Sequence, residues 1–368
     1  MKRSSAALAF LLAAAVAAPG AGPAWEVVAP GVRVELPRDL APHPAFQTEW
    51  WYATGLLEDA GGMRYGVQWT LFRRGLDASP PRPGESELRP RQALSGHLAV
   101  ADISRGAFRS AGRARRVAAG LAGWSGDGTR VWLEDWELEA RPDGKLRLLA
   151  SAEEKDMALD LVLHAGSPPV LQGDGGFSRK GGEAGNASAY FSLPRCRARG
   201  TLELDGRRLA VSGTLWFDRE WGTTRLGEGT PGWDWFGLRL EDGREVTLYR
   251  LREADGSAGP LSSCTLSTGG HATRSLGAAA FTLEPAAFWK SPASGARYPV
   301  GWKLAVPSEG LDLEVQALLQ TCEVDGLRSV GAVYWEGPVA VSGSARGEGY
   351  MELTGYSPPG DGKGLAGK

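Results

Sequence analysis

Short runs of alternating apolar and polar residues, each followed by a turn signal, recur along the chain. The clearest are residues 51–57 and 65–72, separated by the glycine-containing turn at 58–62. Alternation places successive side chains on opposite faces of a strand, so this segment predicts a β-hairpin. Further strand candidates lie at 94–103, 130–140, 145–150, 159–164, 197–204 and 208–216. Long segments with a helical apolar period are rare, so the sequence predicts an all-β fold, a sandwich or a barrel.

The pattern of the first half is echoed in the second half. The sequence EWWY at 49–52 leads into the first hairpin, and DWFG at 234–237 leads into a similar one. The aromatic runs AYF at 189–191 and VYW at 333–335 precede the last strands of the two halves. This echo indicates two antiparallel barrels of common ancestry, each closing its first strand on its last. We predict domains at 30–222 and 223–358, a junction near 223–232 and a disordered tail at 359–368.

The N-terminus has the pattern of a secretory signal. Lys2 and Arg3 precede an apolar run at 6–18, and small residues follow up to Ala24. We therefore predict a signal peptide at 1–24 and a periplasmic or secreted protein, with peripheral association with the envelope left open. No later segment reaches the ~18 apolar residues of a membrane span. The three cysteines, Cys196, Cys264 and Cys322, allow at most one intramolecular disulfide.

Composition narrows the range of partners. Lys and Arg total 41 against 43 Asp and Glu, so no basic excess favours nucleic acid as a partner. Fourteen Trp residues need either thick cores or an apolar small-molecule ligand against which their rings can stack. Four scattered His residues without metal-ligand spacing predict no metal site, and no motif indicates a cofactor. The sequence leaves the oligomeric state open.

Several longer motifs occur in a fixed order between Leu36 and Tyr356. They are PRD at 37–39, HP at 43–44, TEWWY at 48–52, GGFSRK at 175–180, WFDREWG at 216–222, GWDWF at 232–236 and GYMELTGY at 349–356. Together they resemble the AttH and carotenoid 1,2-hydratase family of lipocalin-like proteins. The resemblance implies two lipocalin-like β-barrels of the calycin type and an apolar ligand. For the hydratase branch it also implies addition of water across a terminal carotenoid double bond.

One position in the WFDREWG motif departs from the hydratase branch, where a histidine typically stands beside the aspartate. This chain has Arg219 there. A guanidinium stays charged near neutral pH and cannot shuttle a proton, but it can fix neighbouring carboxylates. The sequence therefore favours a binder of a lipid or isoprenoid-like molecule. A hydratase or hydrolase-like enzyme is the alternative, and a structural envelope protein with tryptophan-filled barrels is a third interpretation.

Asp218 and Glu220 are the main candidates for acid chemistry. They lie two residues apart, which puts both side chains on one face of a strand and Arg219 on the other. An apolar, Trp-lined cavity would raise the pKa of a carboxyl group until it could protonate an alkene carbon. The alternative, which we favour, is a structural ion pair in which at least one of the two carboxylates binds an arginine.

Glu49 is a third candidate acid, because it follows His43 by six residues and the two could form an acid/base pair. Asp234 occupies the equivalent place in the second half. Equivalent positions in duplicated barrels more often have structural roles. We therefore favour an interpretation in which each carboxylate pairs with an arginine that closes the barrel floor.

Aromatic residues on the predicted strands provide the candidate ligand-binding surface. Trp50 and Trp51 are adjacent, so only one of them can face a barrel interior. His97 either points into a cavity or bonds to a neighbouring strand. The full set of ligand-binding candidates is Trp50, Trp51, Trp69, His97, Tyr190, Trp233, Trp235 and Tyr334. Core packing is the alternative role for the aromatic members.

Overall fold

The computed structural model describes residues 24–80, 82–86, 89–183, 185–223, 230–271 and 273–357. The predicted tail, and all but the last residue of the predicted signal segment, lie outside these ranges. The strands are β1 Thr48–Asp59, β2 Arg64–Gly75, β3 Gln92–Asp102, β4 Ala107–Arg116, β5 Ala122–Trp124, β6 Arg130–Leu133, β7 Trp136–Ala140, β8 Leu146–Ala152, β9 Met157–Ala165, β10 Val170–Leu171, β11 Phe177–Arg179, β12 Ala187–Leu204, β13 Arg207–Gly222, β14 Gly232–Leu240, β15 Arg244–Arg252, β16 Ser263–Thr268, β17 Arg274–Gly277, β18 Thr282–Lys290, β19 Arg297–Val306, β20 Leu311–Ala317, β21 Glu323–Gly326, β22 Ala332–Gly343 and β23 Gly347–Leu353. Short 3-10 helices occupy Arg38–Leu40, Glu153–Lys155, Ala278–Ala280 and Pro307–Glu309.

Within the described ranges, none of the helices has the length and apolar character needed to span a bilayer.

Two curled antiparallel sheets form the molecule, as two barrels in tandem. In the first sheet β1 pairs with β2 and also with β13, the last strand of that half. In the second sheet β14 pairs with β15 and likewise with β23, the last strand of the chain. The expected all-β fold of two lipocalin-like barrels is therefore confirmed. The first sheet ends at Gly222 and the second begins at Gly232.

Each barrel encloses its own apolar core, which is built from alternate residues of its strands. Trp51 and Trp69 are fully buried in the first core. Their indole N–H groups donate to the carbonyl oxygens of Leu40 at 2.9 Å and Leu149 at 3.1 Å. Trp302 lies in the second core together with residues such as Phe236. All three cysteines are buried free thiols, and burial raises the thiol pKa of Cys196 and of Cys264 to about 12.

An ion-pair network, called here the floor network, lies at the end of the first barrel where β1 begins and β13 ends. Glu49 is fully buried and lies directly opposite Arg73 across the β1–β2 ladder, where the two side chains form an ion pair. Its second oxygen accepts a 2.6 Å hydrogen bond from Arg219. The Arg219 guanidinium also stacks on the ring of Trp51 at 3.9 Å and donates to the Ala41 carbonyl. These two cations hold the pKa of Glu49 far below its usual range despite its burial.

The second barrel repeats this arrangement at the equivalent position. Asp234 is buried opposite Arg250 across the β14–β15 ladder and accepts a 2.8 Å hydrogen bond from it. Arg252 donates to the other oxygen of Asp234 at 2.7 Å. The pairing with arginine that the sequence favoured for Glu49 and Asp234 is therefore present in both barrels.

Breaking the first floor network should cost a large part of the stability of the protein. Glu49→Gln leaves Arg73 and Arg219 buried without a counter-charge, so the free energy of unfolding should fall by ~3 to 5 kcal/mol. Glu241→Gln is the control, because Glu241 pairs with Arg346 at the exposed surface, where such pairs contribute ~1 kcal/mol or less. Urea unfolding monitored by circular dichroism measures both changes. Equal losses in the two variants would contradict this interpretation.

Candidate functional site

The outer faces of the two barrels pack against each other and enclose polar side chains. Across this boundary the Trp235 indole N–H donates to the Tyr190 hydroxyl at 3.0 Å, and the Tyr52 hydroxyl donates to Glu336. A buried apolar cluster lies at the same boundary and contains Tyr52, Trp216, Trp235, Tyr249, Leu251 and Tyr350. Aromatic rings and carboxyl groups therefore share one buried region between the barrels.

The first barrel contributes a row of polar residues that runs across five adjacent strands. Register pairs place Ser192 beside Asp218, Asp218 beside Tyr52, Tyr52 beside Thr70, and Thr70 beside His97. All five residues are buried. Laterally paired residues of a sheet lie on the same face, so the row presents these side chains to the second barrel.

A matching row crosses four strands of the second barrel. Tyr249 is paired with Trp235, Trp235 with Glu352, and Glu352 with Glu336. Tyr334 lies two residues before Glu336 and therefore on the same face of β22. The two rows together bring three carboxyl groups and several phenols into the boundary between the barrels.

Asp218 lies near the centre of the first row and is only 6% exposed. Its carboxyl group accepts hydrogen bonds from Tyr190 at 2.7 Å, Ser192 at 2.5 Å and Trp216 at 2.7 Å. Burial raises its pKa to about 7, although these hydrogen bonds act in the opposite direction. A group that titrates there can hold a proton at neutral pH and also release it.

Among the described residues, neither Asp218 nor Glu220 forms an ion pair with an arginine. Alternation turns Arg219 to the inner face of β13, where it binds Glu49, while Asp218 and Glu220 face outward. Glu220 pairs with Lys180 at 2.8 Å and accepts a hydrogen bond from Ser188. Within the described part of the chain, the ion pair at this motif is thus made by a lysine instead of the expected arginine.

Glu336 and Glu352 form a pair of carboxyl groups in the second barrel. They lie directly opposite each other on β22 and β23. Burial raises the pKa of Glu352 to about 7 and that of Glu336 well above its usual range, and the two like charges reinforce the shift for Glu336. Tyr52 donates to Glu336, and the Trp233 side chain hydrogen-bonds Glu352. Two buried carboxyl groups so close together favour the neutral form of at least one of them.

A partly exposed margin lies next to the buried first row. Glu220 is paired with Trp50 across the β1–β13 ladder, and Trp50 with Phe72 across β1–β2. All three are only partly buried. Lys180 lies over the rings of Tyr190 and Tyr249 at 5.1 and 4.7 Å. Glu220, Trp50 and Phe72 therefore border the buried row on a side that solvent reaches.

A chain of hydrogen bonds that includes His97 crosses the boundary between the barrels. Gln68 donates from Nε2 to the Tyr334 hydroxyl at 3.0 Å, and that hydroxyl is bonded to His97 Nδ1. His97 Nε2 is bonded to Ser329 Oγ, which donates to the Gly326 carbonyl. Burial lowers the pKa of His97 to about 4, so its ring is neutral at pH 7. A neutral ring that accepts at Nδ1 and donates at Nε2 satisfies the whole chain.

The structure brings together only some of the predicted residues. Asp218, His97, Tyr190, Trp233, Trp235 and Tyr334 lie at the boundary between the barrels, with Glu220 and Trp50 at its margin. Trp51, Trp69 and Glu49 lie on the inner face of the first barrel, away from this cluster. Among the described residues, no group of three or more acidic, His or Cys side chains has the arrangement of a metal site.

Sequence reasoning missed several members of the boundary cluster. These are Tyr52, Thr54, Gln68, Thr70, Tyr249, Tyr350, Glu336 and Glu352. The available signal was alternation. On β1 and β2 the positions between core residues such as Trp51 and Trp69 carry Tyr52, Thr54, Gln68 and Thr70, which have polar side chains. A strand whose second face is also to be buried shows this mixture.

Comparisons with known proteins define the family. A sequence profile of the AttH-like family matches residues 27–356. A comparison with curated proteins gives no match. Among solved structures, an AttH of Nitrosomonas europaea is 34% identical, with a TM-score of 0.81 over 90% of this chain and 99% of that chain.

Two more distant structures share the fold. Kievitone hydratase from Nectria haematococca superposes with a TM-score of 0.66 and 17% identity, over 87% of this chain and 92% of that chain. CghA, solved with Sch210972, gives a TM-score of 0.52 and 16% identity, over 85% and 89% of the two chains. At these identities the likeness concerns the fold alone.

The raised pKa of Asp218 should appear in the pH dependence of stability. The folded state holds this proton more tightly than the unfolded chain, so its stabilising contribution is full below about pH 4 and is lost as the pH rises to about 7. Asp218→Asn cannot titrate. Between about pH 4 and pH 7 the free energy of unfolding of the wild type should fall relative to that of the variant. Above about pH 7 the difference between the two free energies should stay constant. Urea unfolding across this pH range measures the difference, and a constant difference would contradict the assignment.

Proposed function

The chain belongs to the AttH-like family, and on that premise we propose that it binds a neutral, unsaturated, apolar molecule between its two barrels and adds water to it. One observation carries the proposal. Asp218 is a buried carboxyl group with a pKa of about 7, set among aromatic rings and bonded to no cation among the described residues. Such a group is suited to donate a proton to an apolar substrate.

The surroundings of Asp218 favour a neutral ligand. Trp216, Trp235 and Tyr249 supply apolar ring faces at the boundary. Glu336 and Glu352 lie close by, and a ligand with its own negative charge would raise their pKa values further. The site should therefore bind a polyene or another isoprenoid in preference to a fatty-acid anion.

Protonation by Asp218 provides the first step of the reaction. Transfer of its proton to an alkene carbon breaks the π bond and forms a C–H bond, which leaves a carbocation on the neighbouring carbon. The faces of Trp235 and Trp216 can stabilise this cation, and their mutual T-shaped contact at 6.0 Å keeps the rings in place. Water then adds to the cation. One distant protein of this fold is named a hydratase, and that name agrees with this class of reaction.

The arginine at position 219 is compatible with this chemistry. Its side chain lies on the inner face of β13 and stabilises the barrel floor, whereas the acid faces the other barrel. The proton that the substrate needs therefore comes from Asp218 without any part played by residue 219. The departure from the hydratase branch affects the floor of the barrel and leaves the acid unchanged.

Ligand binding is expected to discriminate by charge. Titration with squalene or lycopene in detergent should quench Trp fluorescence saturably, because the ligand would contact Trp235 and Trp216. Palmitate should quench far less at the same concentrations, since its carboxylate would lie among buried acids. Equal quenching by palmitate, or no quenching by either polyene, would contradict the proposed ligand class.

Asp218→Asn should separate binding from turnover. The amide is isosteric with the carboxyl group, so polyene quenching should persist, while formation of a product heavier by one water should fall by ~10² to 10⁴. Mass spectrometry in heavy-oxygen water identifies the added oxygen. Asp160→Asn is the control, because Asp160 pairs with Arg147 on the surface of the first barrel. Saturable binding without a hydrated product in the wild type would indicate a carrier and overturn the enzymatic proposal.

A further inference from the structure

Four polar side-chain atoms at the boundary have no hydrogen-bond partner among the described residues. One is Glu336 Oε2 on the second barrel, and the other three are Thr54 Oγ1, Gln68 Oε1 and Thr70 Oγ1 on the first barrel. The three residues are at most 1% exposed. Thr54 is paired with Gln68 across the β1–β2 ladder, and Thr70 follows Gln68 by two residues on the same face of β2. The unpartnered atoms of the first barrel therefore belong to one small patch, which includes Thr70 of the row that contains Asp218.

The orientation of the Gln68 amide is fixed from the second barrel. Its Nε2 donates to the Tyr334 hydroxyl at 3.0 Å, and that hydroxyl is committed to the neutral His97. Reversing the amide would place its oxygen against a hydroxyl whose proton already bonds to His97. Oε1 is therefore held as an acceptor toward the patch.

The composition of the patch matches the hydrogen-bonding needs of one water molecule. Gln68 Oε1 can only accept, whereas each threonine hydroxyl can accept or donate. A buried water typically makes about three hydrogen bonds to polar groups that would otherwise be unsatisfied. Leaving three such atoms unsatisfied would lower the stability of the folded protein, so a bound water also explains why they are tolerated.

We propose that Thr54, Gln68 and Thr70 form a water-binding subsite between the barrels, and that this water is the one added to the substrate. The role in addition rests on the proposed function. Thr54 is paired with Trp216, which places it diagonally to Asp218 on the same face of the β1–β13 ladder. The subsite and the acid are thus close neighbours on one surface.

The reaction balances with these groups alone. Asp218 gives its proton to one alkene carbon and becomes a carboxylate, and the other carbon becomes a cation. A lone pair of the bound water forms the C–O bond, and the resulting oxonium loses a proton to the Asp218 carboxylate. The product is the alcohol, and Asp218 is again protonated. Thr54, Gln68 and Thr70 act as positioning residues, since they orient the water and exchange no proton with the substrate.

Crystallography and thermal unfolding test the subsite without a substrate. A high-resolution structure of the full protein should show a water bonded to Gln68 Oε1 and to at least one of the two threonine hydroxyls, and Thr54→Val/Thr70→Val should lose it. The double variant should also melt at a lower temperature than Thr282→Val, which alters an exposed strand residue. No water at the patch, or a higher melting temperature of the double variant, would overturn the proposal.

Isotope exchange tests the delivery of the water. In deuterated water, Thr54→Val/Thr70→Val should still bind squalene and exchange deuterium into it through Asp218, while hydration falls by about 100-fold, as expected for a misplaced reactant. Asp218→Asn should lose both exchange and hydration. Hydration by the double variant at the wild-type rate would overturn the delivery role. If the wild type neither exchanges deuterium into squalene nor hydrates it, the proposed function is wrong. The water-binding subsite is then tested by the crystal structure alone.

Discussion

The burial of two outer sheet faces against each other is the constraint on which the rest of this structure depends. Each barrel has its own apolar core, so the residues that join the barrels must come from the alternate positions of the same strands. Those positions carry Asp218, Tyr52 and His97 on one side and Glu336 and Glu352 on the other. Removing so many titratable groups from water shifts their pKa values toward the neutral forms. The chemistry of the site follows from that burial.

Most of the fold could be predicted from the sequence, because alternation and turn signals are local. The hairpin of β1 and β2, the echo of EWWY in DWFG and the closure of first strand on last all follow from such patterns. The faces of the strands were harder to assign. Trp51 and Trp69 are aromatic residues of the kind expected on a ligand-binding surface, but they fill the core of the first barrel. Tyr52, next to Trp51 in the sequence, lies at the boundary between the barrels instead. Nothing local distinguishes a core from a second buried face.

The WFDREWG motif shows why the site itself was only partly predictable. Adjacent residues on a strand point to opposite faces, so Arg219 cannot pair with Asp218 in the same strand. Its partner Glu49 lies 170 residues away along the chain, and Asp218 finds Tyr190 and Ser192 on β12. Only the paired register of β1, β12 and β13 determines these partners. Lys180, from the glycine-rich segment before β12, supplies the cation for Glu220 instead.

The floor networks each lie within one barrel, whereas the boundary is formed by both barrels, and this difference has a consequence for assembly. The floor networks are complete within each barrel, since Glu49 binds Arg73 and Arg219, and Asp234 binds Arg250 and Arg252. The ion pairs of each floor network thus involve residues of one half only. The boundary, in contrast, exists only when both halves meet. Two separately synthesised halves should therefore form this boundary only when they are brought together.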